Sequence, residues 1–219
     1  MMQPRPSLFA VPLCALTLLL SPLLRAAAPS HVQASLVAAD ASVQPGQPIT
    51  VALRLVHDEH WHTYWLNPGT GLATRIDWKL PPGWKAGDIQ WPAPHPLTDR
   101  TGAIVGTGYE GELFLPVTLT PPADLAAGSN VTLNANADWL MCSDVCIPGD
   151  AKLSLTLAVS GDAPKPNATW GDKIRATVAG LPRVDREWEV SASRDEKNIT
   201  LTVLSSYNIA HTPTGLRFF

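Results

Sequence analysis

Apolar and polar side chains alternate with period two in several stretches of this chain. Ile49, Val51, Leu53 and Leu55 alternate with Thr50, Ala52 and Arg54. Leu113, Leu115, Val117 and Leu119 repeat the pattern, with Thr118 and Thr120 on the other face. Val131, Leu133, Ala135, Ala137 and Trp139 alternate with Thr132, Asn134, Asn136 and Asp138. Leu153, Leu155, Leu157 and Val159 alternate with Ser154, Thr156 and Ala158. Successive side chains of a strand point to opposite faces, so each stretch predicts a strand with one buried and one wetted face. Turn clusters separate them: Gln44-Pro45-Gly46, Pro81-Pro82-Gly83, Pro121-Pro122 and Ala127-Gly128-Ser129. With 21 prolines and few helical patterns, the chain reads as an all-β sandwich.

A break follows at residues 161–167, where Pro164 and Pro166 mark a linker. Residues 168–179 predict a short helix with Trp170, Ile174 and Val178 on one side. Residues 188–193 and 199–204 predict a hairpin that opens a second, small β-rich domain. The expected division is a first domain over 29–160 and the start of a second over 168–219. Arg217-Phe218-Phe219 directly follows a Pro-Thr-Gly turn signal, and so apolar a stop reads as truncation of a longer parent. There is no internal repeat.

The amino-terminal residues 1–28 read as a secretory signal. Arg5 precedes an apolar run over residues 8–24, and Ala26-Ala27-Ala28 offers small residues for cleavage. Cys14 lies inside this segment and would leave with it. Without it the chain carries 14 basic against 19 acidic side chains, a net charge of −5. No basic patch points to nucleic acid, and no later segment is long and apolar enough to span a bilayer. The expectation is an exported protein in an oxidising compartment, with two cysteines available for one disulfide.

Those two are Cys142 and Cys146, in the connection between the strands expected at 131–139 and 152–159. Four fully extended residue steps would separate their Cα atoms by about 13 Å, whereas a disulfide needs roughly 4.4–6.8 Å. The connection must therefore curl, with Pro148-Gly149 sending the chain back. Three readings of the spacing stand open: a redox pair, a structural bridge, or a reduced metal-binding pair. Closing so short a loop contributes only about 2 kcal/mol in the chain-entropy model. That is a weak reason for a bond in a domain able to bury a sizeable core. In the redox reading, a thiolate attacks a disulfide sulfur and the neighbouring thiol resolves the mixed disulfide. The loop offers no cation of its own, and Asp144 disfavours a thiolate beside it.

Other candidates are fewer. His57, His60 and His62, with Met141 or the cysteines, have the ligand chemistry for copper or zinc. The plainer reading makes them loop and strand-end residues near Trp61 and Trp65, and we adopt it, with no metal site assigned. Gly102, Gly106, Gly108 and Gly111 are too widely spaced for a nucleotide loop. No Ser/His/Asp order or paired carboxylates stand out, and nothing calls for a cofactor.

Five motifs in order carry a resemblance. They are His60-Trp61-His62-Thr63-Tyr64-Trp65-Leu66-Asn67-Pro68-Gly69, Trp78-Lys79-Leu80-Pro81-Pro82-Gly83-Trp84, Trp91-Pro92-Ala93-Pro94, Gly108-Tyr109-Glu110-Gly111-Glu112 and the cysteine segment at 139–148. Together they resemble the periplasmic N-terminal domain of the DsbD-like protein-disulfide reductases, in the ScsB-like branch associated with copper tolerance. The resemblance covers about residues 30–160. It implies an immunoglobulin-like sandwich whose redox-active pair, here Cys142 and Cys146, passes electrons to periplasmic oxidoreductases. Electrons would arrive through a membrane domain and a thioredoxin-like domain of the full-length parent. The pair here is more closely spaced than in the best-known members. The resemblance also implies a cap loop with an aromatic shield. That loop corresponds to about residues 94–111, with Tyr109 as the shield and Glu110 beside it. Cys146 is expected to form the mixed disulfide. The alternative is a non-redox sandwich that binds copper or a protein partner.

Overall fold

The computed structural model describes residues 30–183 and 188–205. The expected signal at 1–28 and the stop at 217–219 lie outside these residues. Among these residues, thirteen strands and one helix follow in order. One sheet runs β1 (Val32–Ala38), β3 (Ile49–His57), β9 (Glu112–Thr120), β6 (Lys85–Ile89). The second runs β2 (Ser42–Val43), β11 (Cys146–Val159), β10 (Asn130–Cys142), β4 (His62–Tyr64), β8 (Ile104–Glu110), β7 (His95–Thr98). Strand β5 (Arg75–Lys79) joins the same edge of β10 as β4, lower down, against Asn134–Asp138. Strands β12 (Trp188–Arg194) and β13 (Ile199–Ser205) form a separate hairpin, as expected at 188–193 and 199–204.

The two large sheets face each other, and the alternation read from the sequence is what fills the space between them. Val51 and Val117 of the first sheet meet Val131, Leu133, Leu157 and Val159 of the second. Leu53, Leu55 and Leu115 meet Ala137, Trp139 and Met141 further along. The protein is an all-β, immunoglobulin-like sandwich.

Helix α1 (Gly171–Ala179) packs on the outer face of the first sheet. Ile174 is fully buried among Val37, Ala39, Ala52 and Phe114. Arg54 and Lys173 both pair with Glu112, and both lie over the Trp170 ring. The segment at 161–167, read as a linker, is held as well: Ala41 N–H donates to Lys165 O and Asn167 N–H to Ala39 O. The helix therefore lies against the sandwich, although the sequence places it with the second domain.

The β10–β11 hairpin positions the cysteines. The sequence predicts its strands to stop at 139 and to resume at 152. They run on, in unbroken antiparallel register, to Cys142 opposite Cys146. Only Ser143, Asp144 and Val145 remain as the turn, tied by Ser143 N–H to Val145 O. Pro148 and Gly149 do not turn the chain; they pair with Leu140 and Trp139 inside the ladder. Proline is tolerated because β11 has no strand on its other side until Ala158. Gly149 is required because a Cβ there would lie 2.5 Å from Trp139 Nε1.

Candidate functional site

Cys142 and Cys146 are joined by a disulfide, with Cα atoms 4.1 Å apart. They meet as a directly opposed cross-strand pair, not as the single curled turn expected from their spacing. On β10 the odd-numbered residues 131–141 point into the core, so Cys142 points out of the sandwich with Asp138 and Leu140. The disulfide thus sits on the outward face of the second sheet, at its end.

The two sulfurs differ in environment. Cys142 is 1% exposed, packed with Tyr64, Leu97, Val105 and Leu140. Cys146 is exposed. The cover over Cys142 comes from β4 and from the β7–β8 hairpin. The sequence reads 94–111 as a loop; in the structure it contains both strands, β7 and β8, joined by a tight turn. Glycine disguised β8. A Cβ at Gly108 would lie 2.0 Å from Thr63 O, and one at Gly106 2.8 Å from Pro68 O. These glycines mark close backbone approach within a sheet.

Tyr109 and Glu110 follow the alternation of β8. Tyr109 faces inward and is buried with Leu53, Leu55, Trp139 and Met141, its hydroxyl donating to Pro92 O at 2.7 Å. Burial pushes its phenol far above the ordinary tyrosine range. The structure does not bring Tyr109 onto the disulfide. The aromatic ring that packs there is Tyr64, whose hydroxyl lies 3.9 Å from Cys146 Sγ. Glu110 is exposed, opposite His62 in the β4–β8 ladder and 4.0 Å from His95.

Three residues at the site were not assigned to the cysteine pair from the sequence. Tyr64 and His62 belong to a three-residue strand, too short for a readable period. His62 pairs with Cys142 on one side and Glu110 on the other, and burial lowers its pKa. Arg100 comes from the β7–β8 turn and pairs with Asp144 at the tip of the cysteine hairpin. That turn is shaped by Asp99, whose carboxylate accepts from Thr101 and Ala103. The missing cation is thus supplied from 44 residues away, and Asp144 is matched by an opposite charge.

The three candidate metal-binding histidines do not converge. His57 is buried; its Nδ1–H donates to Gly111 O at 2.6 Å and Thr63 Oγ1–H donates to its Nε2 at 2.9 Å. His60 is exposed beside Glu59, with the unusual φ of 67°. His62 faces Tyr64, and Met141 points into the core. Among the described residues, no three or more His, Cys, Asp or Glu side chains form a group suited to a metal ion. A groove of about 570 Å³ between β5 and β6 is lined by Trp78, Trp91 and Thr74 and includes neither cysteine.

An outward-facing, half-covered disulfide on a sandwich hairpin can be compared with known proteins. Residues 31–158 match the family model for the N-terminal part of the thiol:disulfide interchange protein DsbD. The chain belongs to the DsbD N-terminal family. That family carries out thiol–disulfide exchange. The crystal structure of the N-terminal periplasmic domain of ScsB from Proteus mirabilis shares the fold, with a TM-score of 0.58 at 23% identity. The match covers 82% of this chain and 66% of that one. The sporulation control protein Spo0M from Bacillus subtilis aligns over 75% of this chain and 60% of its own, at 10% identity. That alignment has a TM-score of 0.27. No curated protein gives a significant match. Among the described residues of this DsbD N-terminal domain, no helix is long and apolar enough to cross a membrane.

Proposed function

We propose that this domain is an exported thiol–disulfide exchange module. It takes electrons from a thioredoxin-like domain, fed by a membrane domain of the full-length parent, and passes them to periplasmic oxidoreductases. Cys142 and Cys146 cycle between dithiol and disulfide. Cys146 forms the mixed disulfide and Cys142 resolves it.

The observation that carries this reading is the asymmetry of the pair. Exchange requires one sulfur open to in-line attack by an external thiolate and a second held close enough to resolve the product. Cys146 is exposed and Cys142 is buried directly across the strand pair. A bond made only for stability has no need of an open sulfur, and closing this short loop stabilises by only about 2 kcal/mol. Tyr109 and Glu110 bear on access through β8: Tyr109 anchors the strand in the core, and Glu110 faces His62 across it. The copper-binding alternative receives no support from the separated histidines.

A redox titration tests the reading. The pair should equilibrate with thiol buffers at a potential above about −300 mV, the range below which structural disulfides typically fall. A pair that stays oxidised below that range is a structural bridge, and the relay is wrong.

A further inference from the structure

Strand β4 is short, but everything around it is fixed. It lies between Cys142 of β10 and Glu110 of β8. From the core side, the buried His57 ring is hydrogen-bonded to Thr63. From outside, Gly71 lies so close to the Tyr64 ring that a Cβ there would meet it at 2.5 Å. Tyr64 is only 4% exposed, so its ring has little freedom and its hydroxyl is delivered to one place. That place is 3.9 Å from Cys146 Sγ and 3.4 Å from His62 Nε2. The His62 ring stands edge-on to the tyrosine, with centroids 5.3 Å apart.

We propose that Tyr64 is a catalytic residue of the exchange reaction, donating a hydrogen bond from its hydroxyl to the Cys146 sulfur whenever that sulfur is a thiolate. His62 is a positioning residue that donates Nε2–H to the same oxygen and leaves the phenol proton for sulfur. The inference rests on the exchange reading of the cysteine pair.

The electron accounting places charge on Cys146 in both directions. A thiolate of an external dithiol attacks Cys146 Sγ; the S–S bond to Cys142 breaks and Cys142 leaves as a thiolate. The second external thiolate then attacks its own partner sulfur. The mixed disulfide breaks, and Cys146 departs with the electron pair. The external dithiol has become a disulfide, and its two electrons and two protons end on Cys142 and Cys146. In the reverse direction the Cys146 thiolate is the nucleophile. A disulfide sulfur is a weak acceptor and a thiolate a strong one, so the hydrogen bond strengthens as charge develops on sulfur. Burial raises the Tyr64 phenol pKa, outweighing a hydrogen bond with Thr70 that lowers it, and so keeps the donor protonated.

The test uses the full chain, reduced with a phosphine and alkylated with iodoacetamide over a range of pH, each cysteine read by mass spectrometry. Tyr64→Phe keeps the ring and removes the hydroxyl. It should slow alkylation of Cys146 about tenfold near pH 7, the effect of about one charge-assisted hydrogen bond. The rate should recover at high pH, where the thiolate forms regardless, and Cys142 should be unaffected. His62→Gln should slow Cys146 about threefold. Incorporating 3-fluorotyrosine at position 64 strengthens the donor and should speed Cys146, which provides a reading if Tyr64→Phe folds poorly. An unchanged Cys146 profile in Tyr64→Phe or with 3-fluorotyrosine overturns the proposal. The small reagent replaces any protein partner, so this result is independent of the redox titration that tests the relay itself.

Discussion

The lower and upper parts of the β10–β11 hairpin use one strand pair for opposite purposes. Over Val131–Trp139 every second side chain is buried between the sheets, and the outward face is polar and exposed. At Leu140 and Cys142 the outward face becomes apolar, and Cys142 is buried like a core residue. The lower burial follows from alternation and needs only the facing sheet. The upper burial is supplied by β4, β7 and β8, added on the outside. The sandwich is thus a platform, and the disulfide lies outside its core with Cys142 under a separate cover.

The largest expected effect lies in the platform. Leu133 is completely buried between the sheets, and Leu133→Ala should cost about 3 kcal/mol by urea unfolding. The reduction potential of the disulfide should stay put; a shift would mean that the core and the outer face are coupled. Next comes the cover. Gly108→Ala drives a Cβ into Thr63 O and should cost about 2 kcal/mol while separating β8 from β4. It should also make reduced Cys142 accessible to alkylation, which Leu133→Ala should not.

A smaller effect depends on pH. Burial lowers the pKa of His57 and likewise of His62, so the folded protein binds these protons less readily than the unfolded chain. Stability should be full above about pH 6.5, the ordinary histidine value. It should decline as pH falls below that, until the folded form is protonated too. Glu110 opposes the shift at both rings and His95 reinforces it. Urea midpoints taken at pH 7 and at pH 5.5 measure the decline. His57→Gln should lower stability at pH 7 and flatten the pH dependence.

Much of the platform was legible in the sequence, because β10 and β11 expose one face and alternate accordingly, and β3 and β9 keep Thr50, Arg54, Thr118 and Thr120 on their partly covered outer face. Strand β1 was hidden by having little exposed face: Leu36 and Ala38 enter the core while Val37 lies under α1. Ala52, expected to face water, is buried for the same reason. The cysteine pair stood out by chemistry and spacing, but Pro148-Gly149 looked like the turn that the ladder in fact runs through. The cover was least legible. Its glycines are needed for close approach and resemble a loop, and Arg100 meets Asp144 only through tertiary structure. Tyr109 was drawn to the pair by its motif. Strand alternation sends it the other way and leaves Tyr64, from a three-residue strand, beside the sulfur.

The asymmetry of the two cysteines is tested most directly by trapping. Each cysteine is changed to serine in turn, the protein is exported to a periplasm, and mixed disulfides are identified by mass spectrometry. The account predicts that Cys142→Ser accumulates a disulfide between Cys146 and a thioredoxin-fold protein, while Cys146→Ser, left with a covered sulfur, captures little. Capture by neither variant, or capture through Cys142 alone, would contradict it.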